Sequence, residues 1–189
     1  MPFNARKAAQ TIAYFAIKNG RAPLNVLKAV KLVYLADRRS LEECGFPIQD
    51  DVHVSMPHGP VNSYTYSHIN GEHDLSKCGW SDFLEDRENH EIALTNPSTS
   101  TQALDELSRA DFECLDKVWG DFGHMGPFEL RDWTHEKKNI PEWEDPGNGA
   151  KDIPLERILR VLGVKDSEAQ AGLIAEFRKI DSIFDSLQS

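Results

Sequence analysis

The chain has 189 residues and a formal net charge of −10, with 40% hydrophobic and 28% charged residues. That length supports one core of ordinary size, and the composition lies far from the disordered range. The longest apolar runs, such as Leu32-Val33-Tyr34-Leu35-Ala36, fall well short of the roughly 20 residues of a membrane span. The N-terminal residues lack the apolar centre and small-residue cleavage site of a signal peptide. Three cysteines at 44, 78 and 114 form no CxxC pair, which argues against a disulfide framework or zinc ribbon and for a reducing compartment. A cytoplasmic protein with no membrane segment is expected.

In chain order, the first 44 residues read as two amphipathic helices. Ala8, Ile12, Phe15 and Ala16 recur at helical spacing and stop at Asn19-Gly20; Leu24, Leu27, Val30, Tyr34 and Leu41 mark a second stripe, begun at Pro23 and closed by Gly45. Val52, Val54 and Met56 alternate with polar residues as in a half-buried strand. Pro57-His58-Gly59-Pro60 breaks it, and Pro60 suits the first position of a helix running through Tyr64 and His68 to Asn70-Gly71. Segments Trp80–Leu84 and Glu91–Leu94 supply further strands. A helix carrying Leu104, Leu107, Cys114, Leu115, Val118 and Trp119 stops near Gly120 to Gly123, and a short one spans Pro127 to His135. Residues 137–152 are rich in proline and glycine and read as irregular. Helices at Pro154–Leu162 and Ser167–Leu187 close the chain; in the latter Leu173, Phe177, Ile180, Phe184 and Leu187 form a heptad-like stripe, read as a core-docking face.

The fold class expected is α+β: one predominantly α-helical domain over residues 1–189, with a small antiparallel β-sheet near 52–56 and 80–94. Its motif-bearing core covers about 25–145, and C-terminal helices lie at about 154–187.

Charge is uneven. Residues 1–40 carry eight bases and one acid, Asp37, while the remainder is strongly acidic. Intramolecular docking of a basic helical pair on an acidic body is the favoured explanation. A DNA-binding regulator is an alternative, opposed by the net charge. Metal-dependent or thiol enzymes are a further alternative. His58, His68, His73 and Cys78 have no zinc-site spacing, however, and no HExxH, GxSxG, GxGxxG or GxxxxGK[ST] motif occurs. No catalytic residue, metal ligand or cofactor is therefore assigned, and no enzyme activity is expected. Asp50-Asp51 is read as serving turn and capping needs.

Three stretches belong together: Lys31-Leu32-Val33-Tyr34-Leu35-Ala36-Asp37-Arg38, then Gly45-Phe46-Pro47-Ile48, then Met56-Pro57-His58-Gly59-Pro60-Val61-Asn62-Ser63. With the later Leu130-Arg131-Asp132-Trp133-Thr134-His135 and Pro141-Glu142-Trp143, this ordered set resembles the Panacea-domain family of SocA-like antitoxins, also labelled phage-associated proteins. The match departs at Gln49-Asp50-Asp51, where a glycine often precedes the aspartate. The resemblance implies a non-catalytic antitoxin that neutralises a cognate toxin by direct protein–protein binding, with delivery of the toxin to a protease as a variant. Its density between Lys31 and Ser63 places the partner-binding surface at Asp37 and His58, where alanine should change stability by no more than about 1 kcal/mol if both are exposed.

Overall fold

The computed structural model describes residues 3–75 and 77–188, with side chains to residue 184. Helix α1 (Ala5–Lys18) begins at Asn4, whose side chain accepts the amide of Lys7. Its stripe of Ala8, Ile12, Phe15 and Ala16 is buried, as the spacing predicts. A two-residue strand β1 (Leu24–Asn25) leads into helix α2 (Val26–Cys44), which starts three residues after Pro23 because Asn25 is the cap, accepting the amides of Leu27 and Lys28. Gly45, at φ +77, ends it by returning its amide to Leu41 O.

Strands β2 (His53–Met56) and β3 (Gly59–Asn62) form an antiparallel hairpin whose register runs from His53 opposite Asn62 to Met56 opposite Gly59. Helix α3 (Ser63–Ile69) follows. Pro60 therefore does not open a helix: it lies in β3, an outer strand of the sheet, where a missing N–H removes no ladder bond. Asp51 does the capping instead, accepting the amides of Tyr64 and Thr65, so its assignment to capping holds.

Residues 80–84 form a turn with a single bridge between Leu84 and Leu94, not a strand. Strand β4 (Glu91–Ile92) pairs with β1, away from the hairpin. Helices α4 (Arg109–Phe122) and α5 (Pro127–His135) come next. Ser108 and Asp111 cap α4 reciprocally, which moves its start beyond Leu104 and Leu107. Strand β5 (Lys151–Asp152) joins the free side of β2, giving the order β3-β2-β5. Helices α6 (Leu155–Val161) and α7 (Ser167–Gln188) finish the fold. The α+β class and the small antiparallel sheets are as expected; the partners of β2 are not.

Helix α2 is central, packed against α1, α4, α5 and β3. One hydrophobic cluster runs from Ala5 to Ile174 and includes Tyr14, Phe15, Tyr34 and Trp80. The basic N-terminal helices dock on acidic segments: Arg6 pairs with Asp82 and Asp105, Lys7 with Asp111, Lys18 with Asp116, and Arg39 with Asp121. The charge asymmetry is thus neutralised largely within the molecule.

The α7 stripe departs from the core-docking expectation. Leu173, Phe177, Ile180 and Phe184 are 41–59% exposed and only Ile174 is buried, while the Leu187 side chain lies outside the described residues. The first half of α7 is held by Gln170 donating to Gly45 O, by Phe177 against Phe46, and by Arg178 paired with Asp50. Among the described residues no helix is long and apolar enough to cross a membrane.

Candidate functional site

The site is built on a match of lengths. Six steps along α2, from Lys31 to Asp37, advance about 9 Å, and three steps along β2, from His53 to Met56, advance about 10 Å. A helix lying along the hairpin can therefore hold both of its ends with side chains two turns apart. That is what Lys31 and Asp37 do.

At the open end, Asp37 is wholly buried. Its Oδ1 accepts the amides of Ile48 and Gln49, each at 2.9 Å. Its Oδ2 accepts Asn62 Nδ2 at 2.7 Å and lies 3.0 Å from His53 Nε2. One carboxylate thus joins the loop after α2, the first residue of β2 and the last of β3. At the turn end, three side chains from different segments donate to three backbone carbonyls. Lys31 Nζ reaches Pro60 O at 2.8 Å, His135 Nε2 reaches Pro57 O at 2.9 Å, and Trp143 Nε1 reaches Met56 O at 3.2 Å. The rings of His135 and Trp143 meet edge-on, with centroids 4.7 Å apart.

Gly59 makes this closure possible. Its φ is +92, and a Cβ there would stand 2.9 Å from both Lys31 Nζ and Thr134 Oγ1. Between the two ends, Glu142 is fully buried and its Oε1 accepts both the Tyr34 hydroxyl and Arg38 Nε at 2.8 Å. Burial, reinforced by Glu142, pushes the Tyr34 hydroxyl pKa well above its ordinary value. The hydroxyl therefore stays a donor.

Asp37 and His58 are consequently separated. Asp37 lies inside at the open end; His58 is exposed at the tip of the turn and makes no hydrogen bond or ion pair among the described residues. Direct partner contact through Asp37 gives way to an internal role, because no surface of the residue is left to touch. His58 does not sit at a helix N-terminus either, since α3 starts at Ser63. Among the described residues no three of His, Cys, Asp or Glu gather as a metal site. His68 stacks on His73, with ring centroids 4.4 Å apart, and donates its Nδ1–H to Tyr64 O rather than meeting His58.

The chain matches the family model described as antitoxin SocA-like, Panacea domain, over residues 30–144. It belongs to this family. No curated protein and no solved structure matches it. The Panacea match contains every side chain of the two-ended clamp: Lys31, Asp37, His53, Asn62, His135 and Trp143, together with Gly59. Asn62, Thr134 and Glu142 gained roles that sequence alone did not assign. Their signal was weak: each sits inside a quoted motif, but nothing local says which distant group it meets.

Lys31 has an unusual environment for an ammonium. It is wholly buried, makes no ion pair among the described residues, and burial lowers its pKa to about 7 from 10.5. Between those two values the unfolded chain holds a proton that the folded chain has released, so stability rises with pH across this window. Below about pH 7 both states are protonated and the cost of the buried charge is fully present. The slope contributed is at most about 1.4 kcal/mol per pH unit. Lys31→Met removes it. Denaturant unfolding of both proteins from about pH 6 to about pH 9 should show the variant's stability relative to wild type falling as pH rises. A pH-independent difference would mean that Lys31 keeps its proton throughout.

Proposed function

We propose that this Panacea-domain protein is an antitoxin that silences a cognate toxin by binding it directly, with the turn at Pro57-His58 as part of the contact. Family membership over residues 30–144 carries the antitoxin reading. The contact is inferred from the clamp: family-motif side chains are used up holding a short turn still, and that turn presents an imidazole with no hydrogen bond or ion pair among the described residues. Asp37 serves the same contact from inside as a positioning residue.

The test is co-expression with the adjacent gene's product. The partner alone should arrest growth, and the pair should not. His58→Ala should weaken the purified complex by about tenfold, the scale of a contact worth about 1.4 kcal/mol. Its unfolding free energy should stay within about 0.5 kcal/mol of wild type, because the side chain is exposed. Toxin abundance followed during rescue should remain constant. Loss of toxin with time would replace neutralisation by occupancy with delivery to a protease. An unchanged complex in His58→Ala would move the contact off the turn.

A further inference from the structure

Beside the clamped turn a cavity of about 430 Å³ opens between the start of α2, the hairpin and the 87–90 loop. Its walls are apolar: Val26, Leu27, Val30, Val61 and Tyr66 face it, with the 64%-exposed Phe128 at its edge. Its ionisable groups, Tyr66 aside, are all bases. Lys31, His58, Arg87 and His90 line it, and among the described residues no aspartate or glutamate does. Glu88 and Glu91 flank His90 in sequence but lie outside the lining. In a chain with ten more acids than bases, a hollow whose lining carries a lysine and an arginine and, among the described residues, no acid is a local inversion of charge.

Lys31 is the second, independent observation. Its ammonium is buried with one carbonyl for a partner and, among the described residues, no carboxylate near enough to form an ion pair, so its field is not offset by a neighbouring acid there. In a low-dielectric wall that field reaches further than it would through water. Arg87 is better placed to touch a ligand. It is exposed at the rim, where Asn70 Oδ1 and His90 Nδ1 orient its guanidinium.

We propose that this cavity binds a small organic monoanion, a carboxylate on an apolar body, with the carboxylate at the Arg87–His90 rim and the body between Val30, Val61 and Tyr66. Volume and lining are of the kind that holds a drug-sized ligand. A cation would meet Lys31 and the Arg87 guanidinium with no carboxylate among the described lining residues to balance them. A wholly apolar ligand would leave the basic rim unused. The inference does not rest on the antitoxin reading, since it concerns the isolated chain and stands or falls whether or not a toxin is neutralised.

Three probes with one body and different heads test it: 4-phenylbutyrate, 4-phenylbutanol and 4-phenylbutylamine, titrated calorimetrically into the full chain at pH about 6.5, where Lys31 is largely protonated. The acid should saturate at one site and bind about tenfold more tightly than the alcohol, and the amine should not bind. Arg87→Gln, an exposed change, should reduce acid affinity by about threefold or more while leaving the alcohol unchanged. Amide shifts in heteronuclear NMR should centre on the first turns of α2 and on β3. Equal binding of acid and alcohol, saturable binding of the amine, absence of saturation by the acid at about 5 mM, or shifts centred elsewhere would overturn the proposal.

Discussion

Asp37→Ala is expected to cost about 3–5 kcal/mol of folding free energy, the scale of breaking a buried charged cluster by removing one member. The carboxylate is the acceptor for Ile48 N, Gln49 N and Asn62 Nδ2, with His53 Nε2 beside it, and all lie in the interior. Alanine leaves each of these groups facing a void, where an unsatisfied donor costs about 1–3 kcal/mol. Asparagine is the informative comparison. Its oxygen can keep the two backbone amides, but its NH2 then confronts Asn62 Nδ2, donor against donor. It should restore only part of the loss. Chemical denaturation with a common m-value across the three proteins checks this, and an alanine variant within about 1 kcal/mol of wild type would refute the internal role.

Glu142→Ala should be nearly as damaging, again about 3–5 kcal/mol. Glu142 is fully buried in the irregular run between α5 and β5, and it accepts from Tyr34 and Arg38 with one oxygen. Without it, a buried phenol and a largely buried guanidinium lose their acceptor together. The second oxygen, Oε2, has no partner in the described structure. Glutamine therefore sacrifices no bond at that oxygen, and it keeps an acceptor for Tyr34. What it loses is the charge opposite Arg38, so Glu142→Gln should fall between wild type and alanine. Thermal unfolding of the three proteins at one pH gives the order. Equality of glutamine and alanine would show that the ion pair, rather than the hydroxyl contact, carries the effect.

Both residues were visible in the sequence, yet neither role was. An aspartate in a helix of bases announces itself, but helical periodicity describes only which face it shares, not what crosses that face. Long-range partners such as Asn62 and His53 have no local signature. Helix limits are legible where end signals speak: Gly45 after α2, Pro127 as the first residue of α5, Asn19-Gly20 after α1. Pro60 was misplaced because proline suits both a helix's first turn and an outer strand, and only the pairing with Ser55 separates the two. Strands β1, β4 and β5 have two residues each, too few for any alternation to register. The α7 stripe was legible as amphipathic, but its exposure was not, because a pattern cannot say whether a surface exists to receive it. The family resemblance rested on motifs that the structure now joins into one clamp.

That clamp has a thermodynamic consequence for recognition. A short turn left to itself samples many backbone states, and a partner that selects one of them must overcome the entropy of the rest. Here the carbonyls of Met56, Pro57 and Pro60 are already held by three side chains rooted in separate parts of the core. The backbone beneath His58 has little disorder left to lose when something docks on it. The ordering cost of association at this turn falls on the imidazole's own rotamers and on the incoming molecule. Selectivity there is set by shape and chemistry that exist before contact, not by a loop that folds around its guest.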